Sequence, residues 1–508
     1  MPDSIPQKTQ VVIVGAGPTG LSMAAQLLRY HIDFIIIEKN VCTTRLSKAI
    51  VVHARTLEIF QEIGLAEKAV TEGRITTAIN MLYKGKPKAA INISRLGDGL
   101  SAFPFALSLE QSKTEKLLAD HITDNEINIH WQCEFIRYEE KDGVTVYYKD
   151  ADGNEQTITA EYIVGCDGAG SMVRHQMGFL LEGDTIPKLF YLADVILTSD
   201  IINKDELFIF LIEKGFVIFF PLKGTGHYRV IGIIPGAAET DQSFTFEDVR
   251  NFITDQIQVS LIFNEVNWFA TYKVHTRKAA RFMKGRCFIA GDAAHIHTPA
   301  GGQGMNTGIQ DAYNLAWKMA FTIRYKLNGI LLESYNSERV GNAKHLLKTT
   351  DRMFDIMAGE GRFWNFVRLK IMPLAMRFIS RSTMFNKAIF PLLSQIGIAY
   401  PESKLTIKSR IGKAKAGDRM PYFIFKDGRN IFDYLDSPVF KMFFFGDTEM
   451  NYFQQTGNIV VSPFSFNEIP PAIFGGEKNF YILIRPDNHI SYIGKEWSNC
   501  KILFQRIS

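Results

Sequence analysis

Residues 10–38 read QVVIVGAGPTGLSMAAQLLRYHIDFIIIE, and this stretch decides the fold. The apolar run from Gln10 to Val14 predicts a buried strand, and Leu21–Leu28 carries apolar residues at helical spacing. GAGPTG lies between them. Gly15 suits the tight turn, Gly17 lets the backbone approach a pyrophosphate, and Gly20 lets the helix pack close to the sheet. The helix start, with Pro18 setting its first position and Thr19 the first N–H, then offers unpaired N–H groups and a positive dipole end to phosphates. By itself such a turn is only a tight turn. Here a second apolar strand, Phe34–Ile37, ends in Glu38 and Lys39, about twenty residues beyond the glycines, where a carboxylate holds a ribose hydroxyl pair. Glu38 would repel a 2′-phosphate, so the stretch predicts a dinucleotide site for FAD or NAD and disfavours NADP there.

The rest of the chain sets bounds on this reading. With 508 residues, two or three domains are expected. The net charge of +4 is mild and no basic run resembles a nucleic-acid tail, so no nucleic-acid partner is expected. The cysteines, Cys42, Cys133, Cys166, Cys287 and Cys500, are odd in number and widely spaced, which favours a reducing, cytoplasmic setting over a disulfide framework or a dithiol centre. Histidines are scattered without ligand spacing, so no metal is expected. The N-terminus lacks the basic-then-apolar order of a signal peptide, and the apolar run behind it is too short to span a bilayer.

A second glycine-rich segment, FIAGDAAHIHTPAGGQGMNTGIQDAYNLAWKMA at 288–320, follows an apolar strand at Cys287–Ala290. Its glycine spacing is wrong for another nucleotide turn. Gly291 and Asp292 would sit at the C-terminal end of that strand, where open α/β sheets bind ligands and a carboxylate can hold ribityl-type hydroxyls. From Gly304 the pattern becomes helical, with Ile309, Ala312, Leu315, Ala316 and Met319 spaced for one buried face. The N–H groups of Met305 and Asn306 would point out of the helix start, suited to the anionic edge of a reduced flavin. On this segment alone, an N-capping Asp292 in a glycine loop is an equal alternative.

Taken in order, GAGPTG with Glu38, YIVGCDGAGSMVR at 162–174 and GDAAH at 291–295 resemble the class A flavoprotein aromatic hydroxylases. The resemblance is to the phenol and polyketide hydroxylase branch, which includes antibiotic-inactivating members. It implies FAD as cofactor, with Asp167 and Gly168 at the pyrophosphate and TPAGGQGMN (298–306) wrapped around the isoalloxazine through Pro299, Gly302, Gly304, Met305 and Asn306. LSLEQSKTEKLL (107–118) places Gln111 and Glu115 where the family has a glutamine at the flavin side chain and a nearby glutamate. RLSKAIVVHARTLEIFQEIGL (45–65) resembles a segment lying along FAD, with Arg45 and Arg55 as candidate contacts. The implied activity is hydroxylation of an aromatic or polycyclic substrate through a flavin C4a-hydroperoxide, using NADH or NADPH and dioxygen. Only one dinucleotide-type glycine turn occurs, so the nicotinamide is expected to bind transiently. No catalytic base is assigned, because His295 and His297 lie in a loop where a structural hydrogen bond is the commoner role.

The resemblance implies a Rossmann-type α/β FAD-binding domain interleaved with a β-sheet substrate domain. The expected division is 1–74, 106–188 and 275–337 for FAD, and 75–105 and 189–274 for substrate. A helical connector (338–403) and a thioredoxin-like domain (404–508) follow. LFIFLIEKGFVIFFPL (207–222) and HYRVIGIIPG (227–236) read as successive strands. Phe208, Phe210, Phe219 and Pro221 are candidate substrate contacts, although alternation turns only half of such residues toward a ligand. From Arg362 to Lys387 every charged residue is basic, in a stretch that reads as a helix bordering the substrate entrance, with membrane contact the lesser reading. AKAGDRMPYF (414–423) and FYILIRPDNHISYIG (480–494) resemble the start and final hairpin of the thioredoxin-like domain. Its single Cys500 leaves it a structural role or assembly of a homodimer. A flavin-dependent halogenase and a non-catalytic FAD-binding protein are the competing readings; the halogenase tryptophan motif is not found.

Overall fold

The computed structural model describes residues 5–44, 47, 49–202, 204–213, 215–234, 243–359, 361–379, 383–446 and 459–508. Val11–Val14 forms the centre of a six-stranded sheet, hydrogen-bonded in parallel to Tyr162–Gly165 on one side and Phe34–Glu38 on the other. Cys287–Ile289 and Ile129–Trp131 extend it, and Met283–Lys284 closes one edge antiparallel. The central strands are continuously apolar because both faces are covered, as parallel strands require. All three glycine-bearing segments of the sequence therefore leave the same end of one sheet.

Two helices pack against each other beside this sheet, Pro18–Arg29 and the 23-residue Gln303–Tyr325. The second was expected to bury one face. Instead nearly every residue from Met305 to Thr322 is buried, because the helix lies between the nucleotide-binding layer and the C-terminal domain. A helix enclosed on all sides can keep polar residues only if they are paired.

The second large sheet has eight strands, in the order His295–Ile296, Ile262–Ala279, Leu181–Thr198, His227–Ile234, Gly215–Pro221, Leu207–Ile212, Ala78–Tyr83 and Lys86–Asn92. All pairings are antiparallel except that of Leu207–Ile212 with Ala78–Tyr83. Helix Phe246–Ile257 covers one face.

The C-terminal thioredoxin-like region is a four-stranded mixed sheet, Val461–Phe466, Phe440–Phe445, Phe480–Ile484 and Ile490–Gly494, followed by helix Ser498–Ile507. Its core is dominated by phenylalanines, including Phe423, Phe443, Phe445, Phe466, Phe474 and Phe480. Cys500 is buried, and burial pushes its thiol well up, so no reactive thiolate is available there. The turn Arg485–His489 inserts into the helical layer. Arg485 donates from both terminal nitrogens to Glu338, at 2.8 and 3.0 Å, and also binds Asp487, which accepts from the Trp317 indole at 3.1 Å. Lys318 donates to the same Glu338 at 2.7 Å.

Candidate active site

A cleft of about 660 Å3 opens at the C-terminal end of the parallel strands. Gly15, Gly17, Glu38, Lys39, Asp167 and Gly168 all line it, as do Asn40, Glu115 and Trp131. Gly15 has φ +103°, and a Cβ there would meet the Cys166 carbonyl oxygen at 2.5 Å. At Gly20 the clash would be with the Gly15 carbonyl oxygen, at 1.9 Å, so helix and turn touch backbone to backbone. Gly17 and Gly168 instead face open space, which leaves room for a ligand against the main chain. Gly17 caps helix Pro18–Arg29, with Pro18 at its first position, where the missing N–H removes no helical bond.

Glu38 is held by the protein before any ligand arrives. One oxygen accepts the Ala16 N–H at 2.7 Å and the other accepts the Asn40 N–H at 2.9 Å, leaving lone pairs for hydroxyl donors. Asp167 accepts the Met172 and Val173 N–H groups with Oδ2, while its buried Oδ1 has no partner among the described residues. Gln111 donates to Glu115 at 2.8 Å and accepts the Ala49 N–H, and Glu115 accepts the Thr44 N–H. This pair thus holds Thr44 and Ala49 beside the cleft. Burial raises the Glu115 carboxyl, opposed by these bonds. A backbone approach, a held carboxylate and an orphaned oxygen at a helix end fit an adenosine diphosphate moiety.

The second group, Gly291, Asp292, Pro299, Gly302, Gly304, Met305 and Asn306, is outside that cleft but joined to it through Thr19. A Cβ at Gly291 or at Gly308 would meet the Thr19 hydroxyl at 2.3 Å, so Thr19 is enclosed between two glycines. Asp292 is exposed in the tight turn Gly291–Ala293 at the strand end. Pro299 starts the turn Ala300–Gly302, whose Gly301 and Gly302 have φ of +75° and +63°. Gly302 abuts Val51, and Gly304 abuts the His297 ring. Met305 and Asn306 occupy the first turn of the long helix. The Asn306 side chain is fully engaged: it donates to the Val51 and Gly302 carbonyls and accepts from His53 N–H and the Thr56 hydroxyl. It braces the loop and has only its backbone to offer a ligand.

Several residues of this brace carried no signal as a motif. Asp311, within the helical pattern, accepts the Gly291 N–H at 2.9 Å, His295 Nε2 at 2.7 Å and Arg339 Nε at 2.5 Å. Burial alone would raise its carboxyl, but Arg339 and His295 bring it down to about 2. A lone acid among apolar helix positions was the available clue. His295 is thereby committed to structure, while His297 is lowered to about 4 by burial and donates from Nδ1 to the Thr298 carbonyl. His53, likewise lowered to about 4 by burial, donates to the Gly301 carbonyl at 2.9 Å.

Three expectations need correction or relocation. Arg55 is not part of the cleft: it is buried, pairs with Glu58 at 3.0 Å and donates to the Asp487 carbonyl, so it belongs to the contact with the Arg485–His489 turn. Arg45 lies outside the described residues. Phe208, Phe210 and Phe219 point away from the glycine loop, into the core beneath helix Phe246–Ile257. Pro221 borders a separate hollow of about 290 Å3 with Arg74, Asp205 and His227. Strand alternation gives the reason. The opposite face presents Phe190, Phe216, Ile218, Phe220, Trp268 and Tyr272 toward Val51, and Phe354 and Met357 of helix Ile330–Ala358 join them. Since Val51 touches Gly302, this is the face turned to the loop. Arg229 reinforces the junction, donating to the Ser47 carbonyl at 2.5 Å and to Asp194 at 2.7 Å while stacked over Trp268.

A nucleotide cleft on a parallel sheet, joined through a glycine loop to an aromatic sheet face, is the architecture of a flavoprotein hydroxylase. Comparison with known proteins agrees. The family model described as FAD binding domain matches residues 8–350. The 6-methylpretetramide 4-monooxygenase of Streptomyces rimosus is 31% identical over 80% of this chain and 72% of its own. A rifampicin monooxygenase of Streptomyces venezuelae is 33% identical over 69% of this chain and 72% of its own. The solved anhydrotetracycline hydroxylase of Streptomyces rimosus superposes with a TM-score of 0.78 at 26% identity, covering 98% of this chain and 99% of that one. The chain belongs to the FAD-binding family of flavin-dependent monooxygenases.

Proposed function

We propose that the enzyme hydroxylates a fused-ring phenolic compound, taking electrons from NADH or NADPH. The balanced reaction inserts one oxygen atom of O2 into a ring C–H bond to give C–OH and reduces the other to water, while NAD(P)H and one proton are consumed and NAD(P)+ is released. The observation that carries the choice of substrate is the loop-facing sheet surface, where Phe190, Phe220, Trp268 and Tyr272 meet Phe354 and Met357. Phe190 and Phe354 are buried, whereas Phe220, Trp268, Tyr272 and Met357 are half-buried, and half-buried aromatic side chains stack on planar apolar rings. The names of relatives that act on 6-methylpretetramide, rifampicin and anhydrotetracycline favour a polycyclic substrate, and that of a pentachlorophenol 4-monooxygenase makes a single-ring phenol the rival to be tested.

Bound FAD would supply hydride acceptance and oxygen activation. The residues around it do the rest. Glu38 would bind the ribose hydroxyls, the start of helix Pro18–Arg29 would receive the pyrophosphate, and Asp292 would hold the ribityl chain. The backbone at Gly302–Asn306 would face the ring system, where the positive end of the long helix would favour negative charge. The Asn306–His53–Gly301 brace holds that loop in register, so its dipoles are oriented before reaction. The enclosing sheet excludes water from the reacting carbon.

The test is to load the purified enzyme with FAD and compare tetracycline-type, rifamycin-type and single-ring phenols for stimulated NAD(P)H oxidation, with 18O2 incorporation as readout. Labelled product from a polycycle is expected. Stimulation only by single-ring phenols would overturn the substrate class, and FAD binding without stimulated oxidation by any compound would assign a non-catalytic role. Phe220→Leu should raise the KM for the polycycle about tenfold, whereas Phe219→Leu should cost about 1 kcal/mol of stability with KM unchanged.

A further inference from the structure

The connector between the long helices and the C-terminal domain has a feature that catalysis does not use. Residues 361–400 contain Arg362, Arg368, Lys370, Arg377, Arg381 and Lys387, and no Asp or Glu. The chain here runs through Arg362–Phe366, a π-helical turn Val367–Ile371, then Met372–Ile379 and Thr383–Leu393. Phe363, Phe366, Ile371 and Leu374 are 67%, 58%, 46% and 55% exposed, and Leu392 is 51% exposed. Phe363 and Phe366 are the two exposed phenylalanines among the described residues, although the chain has 39 phenylalanines in all. Steps of three and four residues place Phe363, Phe366, Lys370 and Leu374 along one side of the helix, with Ile371 beside them. Arg362 and Lys370 are exposed on the same stretch.

The direction of this stripe is set by packing. Arg368, fully buried on the inner side, donates to the carbonyls of Met357, Gly359 and Glu213. The Trp364 ring lies against Gly359, and Pro373 is buried. These contacts anchor the segment to the end of helix Ile330–Ala358, the same end that brings Phe354 and Met357 to the aromatic sheet face. The outward apolar side chains are therefore held in place rather than left over from a frayed end.

We propose that this stripe docks the enzyme on the surface of an anionic phospholipid bilayer. Large apolar side chains in a segment whose only charges are cations, with neighbouring Glu213 paired to Lys84, match a surface that offers acyl chains beneath phosphate headgroups. Lys and Arg add affinity there only if the lipid is acidic. A second copy of the chain fits poorly, because a two-fold contact would set Arg362 and Lys370 against their own equivalents with no acid in the segment to pair them. No helix among the described residues is long and apolar enough to cross a membrane, so the contact is peripheral. It would bring Met357 and the aromatic sheet face near the phase into which a polycyclic substrate partitions, yet it stands whether or not that substrate class is right.

The full chain with FAD bound is mixed with vesicles of phosphatidylcholine alone or with phosphatidylglycerol added, then floated on a density gradient. Recovery with the acidic vesicles should exceed that with neutral ones by about tenfold and fall as salt screens the cations. The double variant Phe363→Ser/Phe366→Ser should lose that recovery while keeping its flavin absorbance, and Lys370→Glu should weaken it. Equal recovery on both vesicle types, or undiminished recovery of the double variant, overturns the proposal. So does sedimentation showing a dimer that the double variant abolishes, which would assign the stripe to a second copy.

Discussion

The nucleotide cleft and the socket of the Arg485–His489 turn are both polar, and they are built by opposite means. In the cleft, the backbone does the work: glycines remove side chains so that main chain meets main chain, and Glu38 is held by N–H groups two and twenty-two residues away. The socket has no such local order. Arg55, Trp317, Lys318, Glu338, Arg485 and Asp487 come from four separate segments and satisfy one another's charges and hydrogen bonds after burial. One site is prepared for a ligand that is not protein, and the other is already filled by the protein. Removal of a side chain should therefore act on ligand affinity in the first and on stability in the second.

The largest expected effect is in the socket. Arg485→Met leaves Glu338 and Asp487 buried without their main partner and should destabilise the protein by about 3–5 kcal/mol, read by urea unfolding. A loss under about 1 kcal/mol would mean that the turn is solvated and the contrast is false. Next comes Gly20→Ala, where the new methyl meets the Gly15 carbonyl oxygen and no flexible side chain can yield. It should cost about 1–3 kcal/mol, and flavin content measured by visible absorbance should fall with it.

Glu38→Gln separates the two regions more finely. It keeps the shape but removes the charge that strengthens bonds to ribose hydroxyls and sets an amide NH2 against the Ala16 or the Asn40 N–H, so FAD affinity should fall about tenfold while the FAD-free protein loses no more than about 1 kcal/mol of stability. Isothermal titration with FAD checks the first part. The smallest effect is in acid. Burial alone would raise the Glu338 and Asp487 carboxyls, but Arg485, with Lys318 for Glu338 and His489 for Asp487, holds both below the ordinary range. Their unfolded values are 4.5 and 3.8, so the stability they contribute is present above about pH 5 and is lost progressively as pH falls below 4. Trp317 fluorescence should be flat from pH 7 to 5 and change below 4; a change centred near neutrality would contradict the sign.

The same contrast explains how much was legible before the structure. Gly15, Gly17, Glu38, Asp167 and Gly168 meet in one cleft because each sits at the end of a strand of one sheet, and strand-end position can be read from a local run of apolar residues. Arg55 looked similar to a cofactor contact because it opens a helix in the right segment. Its guanidinium turned elsewhere, since Glu58 lies one turn away and the Asp487 carbonyl arrives from 432 residues further on. The phenylalanine-rich strands misled in another way. Both faces of the eight-stranded sheet are covered by protein, so composition alone did not reveal which face helix Phe246–Ile257 occupies.

By itself, the sequence determined the glycine turn, the carboxylate at the end of the second strand, the later glycine loop and the order in which they occur. These depend on backbone geometry within a few residues, where a missing Cβ or a fixed strand length leaves one solution. Only the tertiary structure decided which aromatic side chains face the loop, that Asp311 with His295 and Arg339 braces Gly291, and that the C-terminal turn is seated through Arg485. Those choices depend on which distant surfaces cover one another, and burial, unlike a turn, is a property of the whole packed chain.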